Sequence, residues 1–374
     1  MTRGRRLFFG LLVAAAAVVG TVLGILTLPP FGGRVTGARL ERVRANLYYK
    51  DGRFVNPVPP AGYSLADMRT LFAGQFFGDE IRRPPSPIPV LPVSAAALAP
   101  TPPASGLRAF WVGHATAYIE IDGLRILTDP IFSEYASPVS LGPRRLHPAP
   151  IALERLPKVD AVVISHDHYD HLDMRTVQHL ASRGTIFFVP LGIGAHLERW
   201  GVPDTQIREL EWWQEETLNG VRIIATPSRH YSGRKGLDAN ATLWGSWSVI
   251  GHTHRIYFSG DTGYSDHFQT IGGKLGPFDL AFIKIGAYGP VQAWVDIHMT
   301  AEDAVRAARD VGARHLFPVH WSTFNLQYHD WDEPIKRAVA AARELHVDLL
   351  TPRVGEIVDM DLGFTSMAWW EEVQ

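Results

Sequence analysis

Three hydrophobic patterns follow one another along this chain. The first is an uncharged apolar run over residues 7–28, closed by Pro29-Pro30. A helix of roughly 20 apolar residues spans a bilayer, so residues 1–30 are expected to form a transmembrane anchor. A cleavable signal has a shorter apolar region, about 7–15 residues, and a small-residue cleavage site. Neither feature is present, so the anchor is expected to stay attached. Arg3, Arg5 and Arg6 lie closer to the run than Arg34, Arg39, Arg42 and Arg44 on its far side. Positive charge stays in the cytoplasm, which places the rest of the chain outside.

Residues 31–106 show a mixed pattern, first basic and aromatic, then dense in proline from Pro84 to Pro103. This predicts a membrane-proximal lead-in that wraps or links. Within it, Leu65, Met68, Leu71 and Phe72 fall at helical spacing over residues 64–78. From residue 107 onward the pattern becomes short apolar runs with turns between them. Residues 110–112, 116–121, 124–130, 159–164, 186–189, 221–225, 247–250 and 255–258 read as strands. Asp122-Gly123 is a hairpin turn signal. Helical spacing covers 174–182, with Asp173 as cap, and also 193–200, 301–311 and 333–345. Hairpins and helices interspersed in this way predict an α/β domain over 107–374, with stacked sheets and outer helices rather than one doubly wound sheet.

Composition narrows the chemistry. The chain has 374 residues, enough for a sizeable core, and a formal net charge of −2. There is no basic excess to argue for nucleic acid. It has no cysteine, so any metal must sit on histidine, aspartate or glutamate. The strand at 159–164 runs straight into Ser165-His166-Asp167-His168-Tyr169-Asp170-His171. In an extended segment residues two apart point the same way, so His166 and His168 can grip one ion while Asp170 and His171 face a second position. Imidazole and carboxylate suit zinc and similar ions. Three later strands also end on ionisable residues: His230, Asp261 and His320. Singly each is an ordinary strand-end residue. Together with the loop they provide ligands for two ions, and Asp261 is the candidate bridge.

The order His166-x-His168-x-Asp170-His171, His230, Asp261, His320 resembles the metallo-β-lactamase fold superfamily. Within it the chain is most similar to the N-acyl-phosphatidylethanolamine phospholipase D family and its bacterial relatives. The similarity rests on Arg53-Phe54-Val55-Asn56-Pro57, Trp111-Val112-Gly113-His114-Ala115-Thr116, Leu127-Thr128-Asp129-Pro130, Trp244-Gly245-Ser246-Trp247-Ser248 and Asp261-Thr262-Gly263-Tyr264. The resemblance implies an αβ/βα sandwich of two mixed sheets with outer helices. It implies two Zn2+, one on His166, His168 and His230 and one on Asp170, His171 and His320, with Asp261 bridging. It makes Asp129 a residue that orients a ligand histidine. After Gly286-Ala287-Tyr288 the chain departs from the family, reading Gly289-Pro290-Val291-Gln292-Ala293-Trp294 where well-studied members carry an acidic residue and Pro-Arg-Trp.

The implied reaction is hydrolysis of a phospholipid phosphodiester by metal-activated water attacking phosphorus. Asp170, Asp261 and His298 are the candidate catalytic residues, with Tyr169 and Arg234 as candidate substrate contacts. The expected setting is the bacterial inner membrane, single-pass, with the hydrolase domain extracytoplasmic and no nucleic-acid partner. Two other readings compete: a lactonase or phosphoesterase for a small soluble metabolite, and a non-enzymatic metal-binding envelope protein.

Overall fold

The structure is a computed structural model that describes the chain except residues 1–10, 14–16, 22, 99, 101, 103–105, 237, 327 and 374. Tyr49–Lys50 (β1) and Arg53–Phe54 (β2) form a small hairpin in the lead-in. The main body begins with Leu107–Gly113 (β3), Thr116–Ile121 (β4), Leu124–Thr128 (β5), Ala161–Val163 (β6), Ile186–Pro190 (β7) and Ile207–Leu210 (β8). Glu215–Leu218 (β9), Val221–Thr226 (β10), Ser246–Ile250 (β11), Arg255–Phe258 (β12), Phe278–Lys284 (β13), Ala313–Val319 (β14) and Asp348–Leu349 (β15) follow, and Ile357–Asp359 (β16) closes the series.

Two seven-stranded sheets result, one ordered β16-β3-β4-β5-β6-β7-β8 and the other β15-β14-β13-β12-β11-β10-β9. Each begins as an antiparallel meander. The meander turns parallel at β5–β6 in the first sheet and at β12–β13 in the second. This is the expected pair of mixed stacked sheets. Alternation along the strands assigns their faces. Leu107, Ala109 and Trp111 join the core shared with the second sheet, while Phe110 and Val112 face outward onto a second core. The helix Met174–Ala181 packs Val177 and Leu180 into that outer core, and Asp173 caps it by accepting from Arg175 N. The helices Ala301–Asp310 and Glu333–Leu345 cover the other sheet.

The turn at Asp122 and Gly123 has both residues at positive φ, 45° and 88°, as a tight hairpin requires. The strand expected over 159–164 is shorter, Ala161–Val163, because Ile164 already leaves the ladder toward the histidine loop while its N–H bonds Phe188 O.

The amino terminus differs from expectation. Residues 11–13, 17–21 and 23–25 are helical and exposed. Among the described residues no helix is long and apolar enough to cross a membrane. Residues 26–28 turn and bend, and residues 7–10, 14–16 and 22 of the expected 7–28 span lie outside the described ones. The helical stretch stops where proline forbids continuation. Pro29–Phe31 forms a 3-10 turn docked on the main body, with Trp200 Nε1 bonding Pro29 O at 2.7 Å and Phe31 edge-on to Tyr169.

The lead-in is a wrap bonded to the body. Val43 and Phe54 pack with Trp212, Leu243 and Trp244, and Val90 pairs with Val354. The helix Leu65–Phe77 forms with a Ser64–Asp67 capping box, yet none of its side chains is buried. Leu65, Met68, Phe72, Phe76 and Phe77 are all exposed.

Candidate metal centre

The strand ends that feed one edge of the sandwich bring the histidines and aspartates together. β5 ends at Asp129, β6 at the 165–171 loop, β10 before His230, β12 before Asp261 and β14 at His320. The β12 loop approaches the histidine loop so closely that a Cβ on Gly260, whose φ is +53°, would meet Ser165 Cβ at 2.3 Å. Only glycine fits there.

Among the described residues, four groups of ligand-type atoms lie close enough to share a cation: His166, His168 and His230; His114, Asp170, His171 and His320; Asp129, His166 and His171; and His230, Asp261 and His298. Asp261 spans the first two groups, 3.9 Å from His230 Nε2, 3.4 Å from His171 Nε2 and 3.1 Å from His320 Nε2. All seven residues expected to ligate therefore meet in one place. His230 Nε2 and Asp261 Oδ1 are buried there with no hydrogen bond. Buried polar atoms left this way carry a cost unless a ligand takes them up.

The surroundings fix the imidazoles. Asp129 Oδ2 lies 2.7 Å from His171 Nδ1, and Ser165 N donates to Asp129 Oδ1 at 2.6 Å. Ser165 Oγ lies 2.8 Å from His166 Nδ1, and His230 Nδ1 donates to Ile297 O at 3.0 Å. Such contacts set tautomer and ring orientation in metal sites. Asn56, far back in the lead-in, brackets His230 from both sides, donating to its carbonyl and accepting from its N–H.

The electrostatics suit a cation. Burial drives His166, His230 and His298 well below the usual imidazole range. Burial works against ionising Asp170 and Asp261, but the surrounding histidines together outweigh it, His171 and His114 among them at the first and His320 and His171 at the second, so both stay ionised. Neutral imidazole and ionised carboxylate are the protonation states a divalent ion needs. His171 is the exception: burial lowers it, and the charges of Asp170 and Asp261 more than reverse this. The field thus holds positive charge where an ion would lie. The donor set fits a divalent cation of borderline type.

His298 sits beside the cluster, its Nδ1 3.5 Å from Asp261 Oδ2 and its ring stacked on Trp294. Trp294 comes from the departing loop and donates Nε1–H to Ala287 O at 2.8 Å.

The two expected substrate contacts, Tyr169 and Arg234, meet protein groups behind the histidine loop. Arg234 is buried, and its guanidinium donates to Asp167 O, Leu172 O and Pro30 O while lying over the Tyr169 ring. Tyr169 OH bonds Arg234 O, and its ring meets Phe31. Arg234 Nη1 and Nη2 and the Tyr169 hydroxyl are used on backbone carbonyls, while Arg234 Nε is buried without a hydrogen bond, so the pair braces the histidine loop from behind. His114, Ser165 and Asn56 stand in the quoted motifs, but the sequence reading gives none of them a role. His114 Nε2 lies 2.8 Å from Asp170 Oδ2. Its signal in the sequence is its place in Trp111-Val112-Gly113-His114-Ala115-Thr116, after a glycine at a strand end.

A family model described as a β-lactamase superfamily domain matches residues 124–321. An uncharacterized protein of Mycobacterium tuberculosis is 47% identical over 329 residues, 86% of this chain and 87% of its own. The N-acyl-phosphatidylethanolamine-hydrolyzing phospholipase D 1 of Caenorhabditis elegans is 39% identical over 270 residues, 68% of this chain and 76% of that one. Among solved structures, Igni18, a metallo hydrolase of the archaeon Ignicoccus hospitalis, shares the fold with a TM-score of 0.53 at 23% identity, over 68% of this chain and 98% of that one. Isothiocyanate hydrolase from Delia radicum gut bacteria does so with a TM-score of 0.54 at 20% identity, over 70% of this chain and 100% of that one. The chain belongs to the β-lactamase superfamily and is a metal-dependent hydrolase of its metallo branch. Within that branch it resembles the N-acyl-phosphatidylethanolamine phospholipases D.

Proposed function

We propose that the protein hydrolyses a phospholipid phosphodiester at the headgroup-side P–O bond, as a phospholipase D does, with N-acylphosphatidylethanolamine as the first substrate to test. The observation that carries the reading is an apolar rim joined to the cluster. Phe72, Phe76 and Phe77 are exposed on the helix Leu65–Phe77. Tyr328 lies so close to Gly74 of that helix that a Cβ there would come to 3.0 Å. The Tyr328 ring meets Trp294 edge-on, and Trp294 stacks on His298. An exposed apolar surface thus connects through two aromatic rings to the ligand cluster, an arrangement that would suit a lipid and that a soluble metabolite would not need.

In this reading His166, His168 and His230 would hold one Zn2+, Asp170, His171 and His320 the other, and Asp261 would lie between them. Bound divalent ions supply Lewis acidity toward a phosphoryl oxygen and activate water at neutral pH. Water adds to phosphorus, the P–O bond to the headgroup alcohol breaks, and the water proton ends on that alcohol. His298, kept neutral by burial, offers a ring N–H to a phosphoryl oxygen at the edge of the cluster. Residues 7–28 would keep this rim at a bilayer, uncleaved, consistent with the exposed Leu11, Leu12, Val18, Val19 and Leu23.

The test is one metal-replete preparation of the full chain assayed on N-acylphosphatidylethanolamine vesicles, phosphatidylcholine vesicles, a soluble aryl phosphodiester and a lactone. Release of N-acylethanolamine and phosphatidate is expected. Turnover of the lactone alone would replace the lipid reading with the small-metabolite one. No turnover despite full metal occupancy would leave a metal-binding scaffold.

A further inference from the structure

We propose that His114 is a positioning residue for the Asp170 carboxylate, turning one oxygen toward His171 and His320 and thereby setting the affinity of one of the two metal positions. The inference rests on the reading that Asp170, His171 and His320 share an ion.

The backbone presents His114 under strain. β3 and β4 slip register between Trp111 and Gly113, and the turn that follows places Gly113 at φ +124° and His114 at φ +54°. A non-glycine residue in the left-handed region is strained and persists where its surroundings over-determine it. They do so here. His114 N donates to Thr323 Oγ1 at 2.6 Å, and its carbonyl accepts from Trp111 Nε1 and from His320 N, both at 2.8 Å. Its ring is held by the His320 ring at 3.9 Å and by the Phe324 edge at 5.2 Å.

All of this aims one nitrogen at one oxygen. His114 Nε2 is 2.8 Å from Asp170 Oδ2, the oxygen that is also 3.3 Å from His171 Nε2 and 3.7 Å from His320 Nε2. An ionised carboxylate only accepts, so Nε2 carries the proton and donates. Asp170 lies on an irregular loop, and a carboxylate without that donor can rotate either oxygen inward. The residue also divides its work in a testable way. Its side chain reaches Asp170 and stacks on the His320 ring, whereas its carbonyl accepts from His320 N, so side-chain variants leave that backbone hydrogen bond in place while alanine and glutamine both remove the imidazole.

The experiment compares wild type, His114→Ala and His114→Gln as full-length proteins. Each is equilibrated with Zn2+ against a graded competing chelator, and bound zinc is counted by mass spectrometry. Glutamine Nε2 reaches about as far as histidine Nε2 and can donate, whereas alanine cannot. The wild-type count tests the two-ion reading by itself; the difference between variants tests His114. Loss of an outer partner typically costs about 10–100-fold in metal affinity. His114→Ala is expected to weaken one of the two ions by that factor and spare the other, and His114→Gln to recover most of it. Circular dichroism and melting of the zinc-free proteins should coincide. The assignment is overturned if His114→Ala holds both ions as wild type does, if both weaken equally, or if glutamine is no better than alanine.

Discussion

At the scale of single residues, Asp261 separates a bridging role from mere proximity. Asp261→Asn keeps the shape of the side chain and removes the charge that faces His171, His230 and His320. Activity is expected to fall by at least about 100-fold, as when a group stabilising charge in the transition state is lost, and metal content to drop at both positions. Asp266→Asn, exposed and making no side-chain cap for its helix, is the control and should match wild type in both readouts. Arg234 gives a second test. As a brace for the histidine loop, Arg234→Met should cost about 2–4 kcal/mol in urea unfolding, because buried hydrogen bonds to a charged group are lost. Raised KM with unchanged stability would instead make Arg234 a substrate contact. The reasons these residues were or were not legible differ. The seven cluster residues show in sequence because a strand can be read and its end predicted. The direction in which Arg234 points depends on carbonyls at 30, 167 and 172, which no local pattern records.

At the scale of elements, the two sheets are tied at their turns. Asp122, in the β4–β5 turn, accepts from Thr253 N at 2.7 Å and His254 N at 3.0 Å, in the turn between β11 and β12. Burial pushes its carboxyl up, but the hydrogen bonds from His254 and Thr253 prevail and hold it well below the usual carboxylate range. Asparagine tolerates the positive φ of this turn, so Asp122→Asn isolates the charge. A loss of about 1.5–3 kcal/mol is expected near pH 7 by urea denaturation. The charge of a carboxylate with depressed pKa stabilises the fold above its unfolded value, about 3.9, and this is lost as pH falls through the folded value. The gap between wild type and variant should therefore narrow below about pH 4; a constant gap would assign the effect to shape. The Asp-Gly turn was readable because two residues suffice to specify it. The helix His267–Leu275 was not, because it carries Gly272 and Gly273. Gly272 is needed for packing: a Cβ there would meet Asp310 O at 2.2 Å. Tertiary contact overrides propensity at that point.

At the scale of the whole molecule, the exposed aromatic helix predicts how substrate is met. Phe72→Asp with Phe76→Asp should raise KM for vesicle substrate by about 10-fold or more, since burying one such side chain is worth about 1.5–3 kcal/mol. Turnover of a soluble phosphodiester should be unchanged. Equal loss on both substrates would show that the helix supports the site rather than the surface. The architecture itself was only partly visible in the sequence. Stacked mixed sheets follow from the order of strands and helices. The matching layout of the two sheets, meander first and parallel strands after, leaves no sequence repeat because each half carries different side chains on the same hydrogen-bond plan. The closing piece, Trp369 and Trp370 of the last turn, fills the core beside Trp321, the residue after His320.

The clasp of Asn56 on His230 has a consequence for how the protein is made. The cluster draws on residues 129 to 320, its supports begin at residue 56, and the packing behind it is completed by residue 370. The finished set therefore exists only once segments far apart in the chain have docked on one another, so binding of an ion there would be coupled to folding. Affinities for divalent ions on such donors follow a fixed chemical order, and cells choose among them by supply. The metal such a site would carry is accordingly set by the ions available where these segments come together.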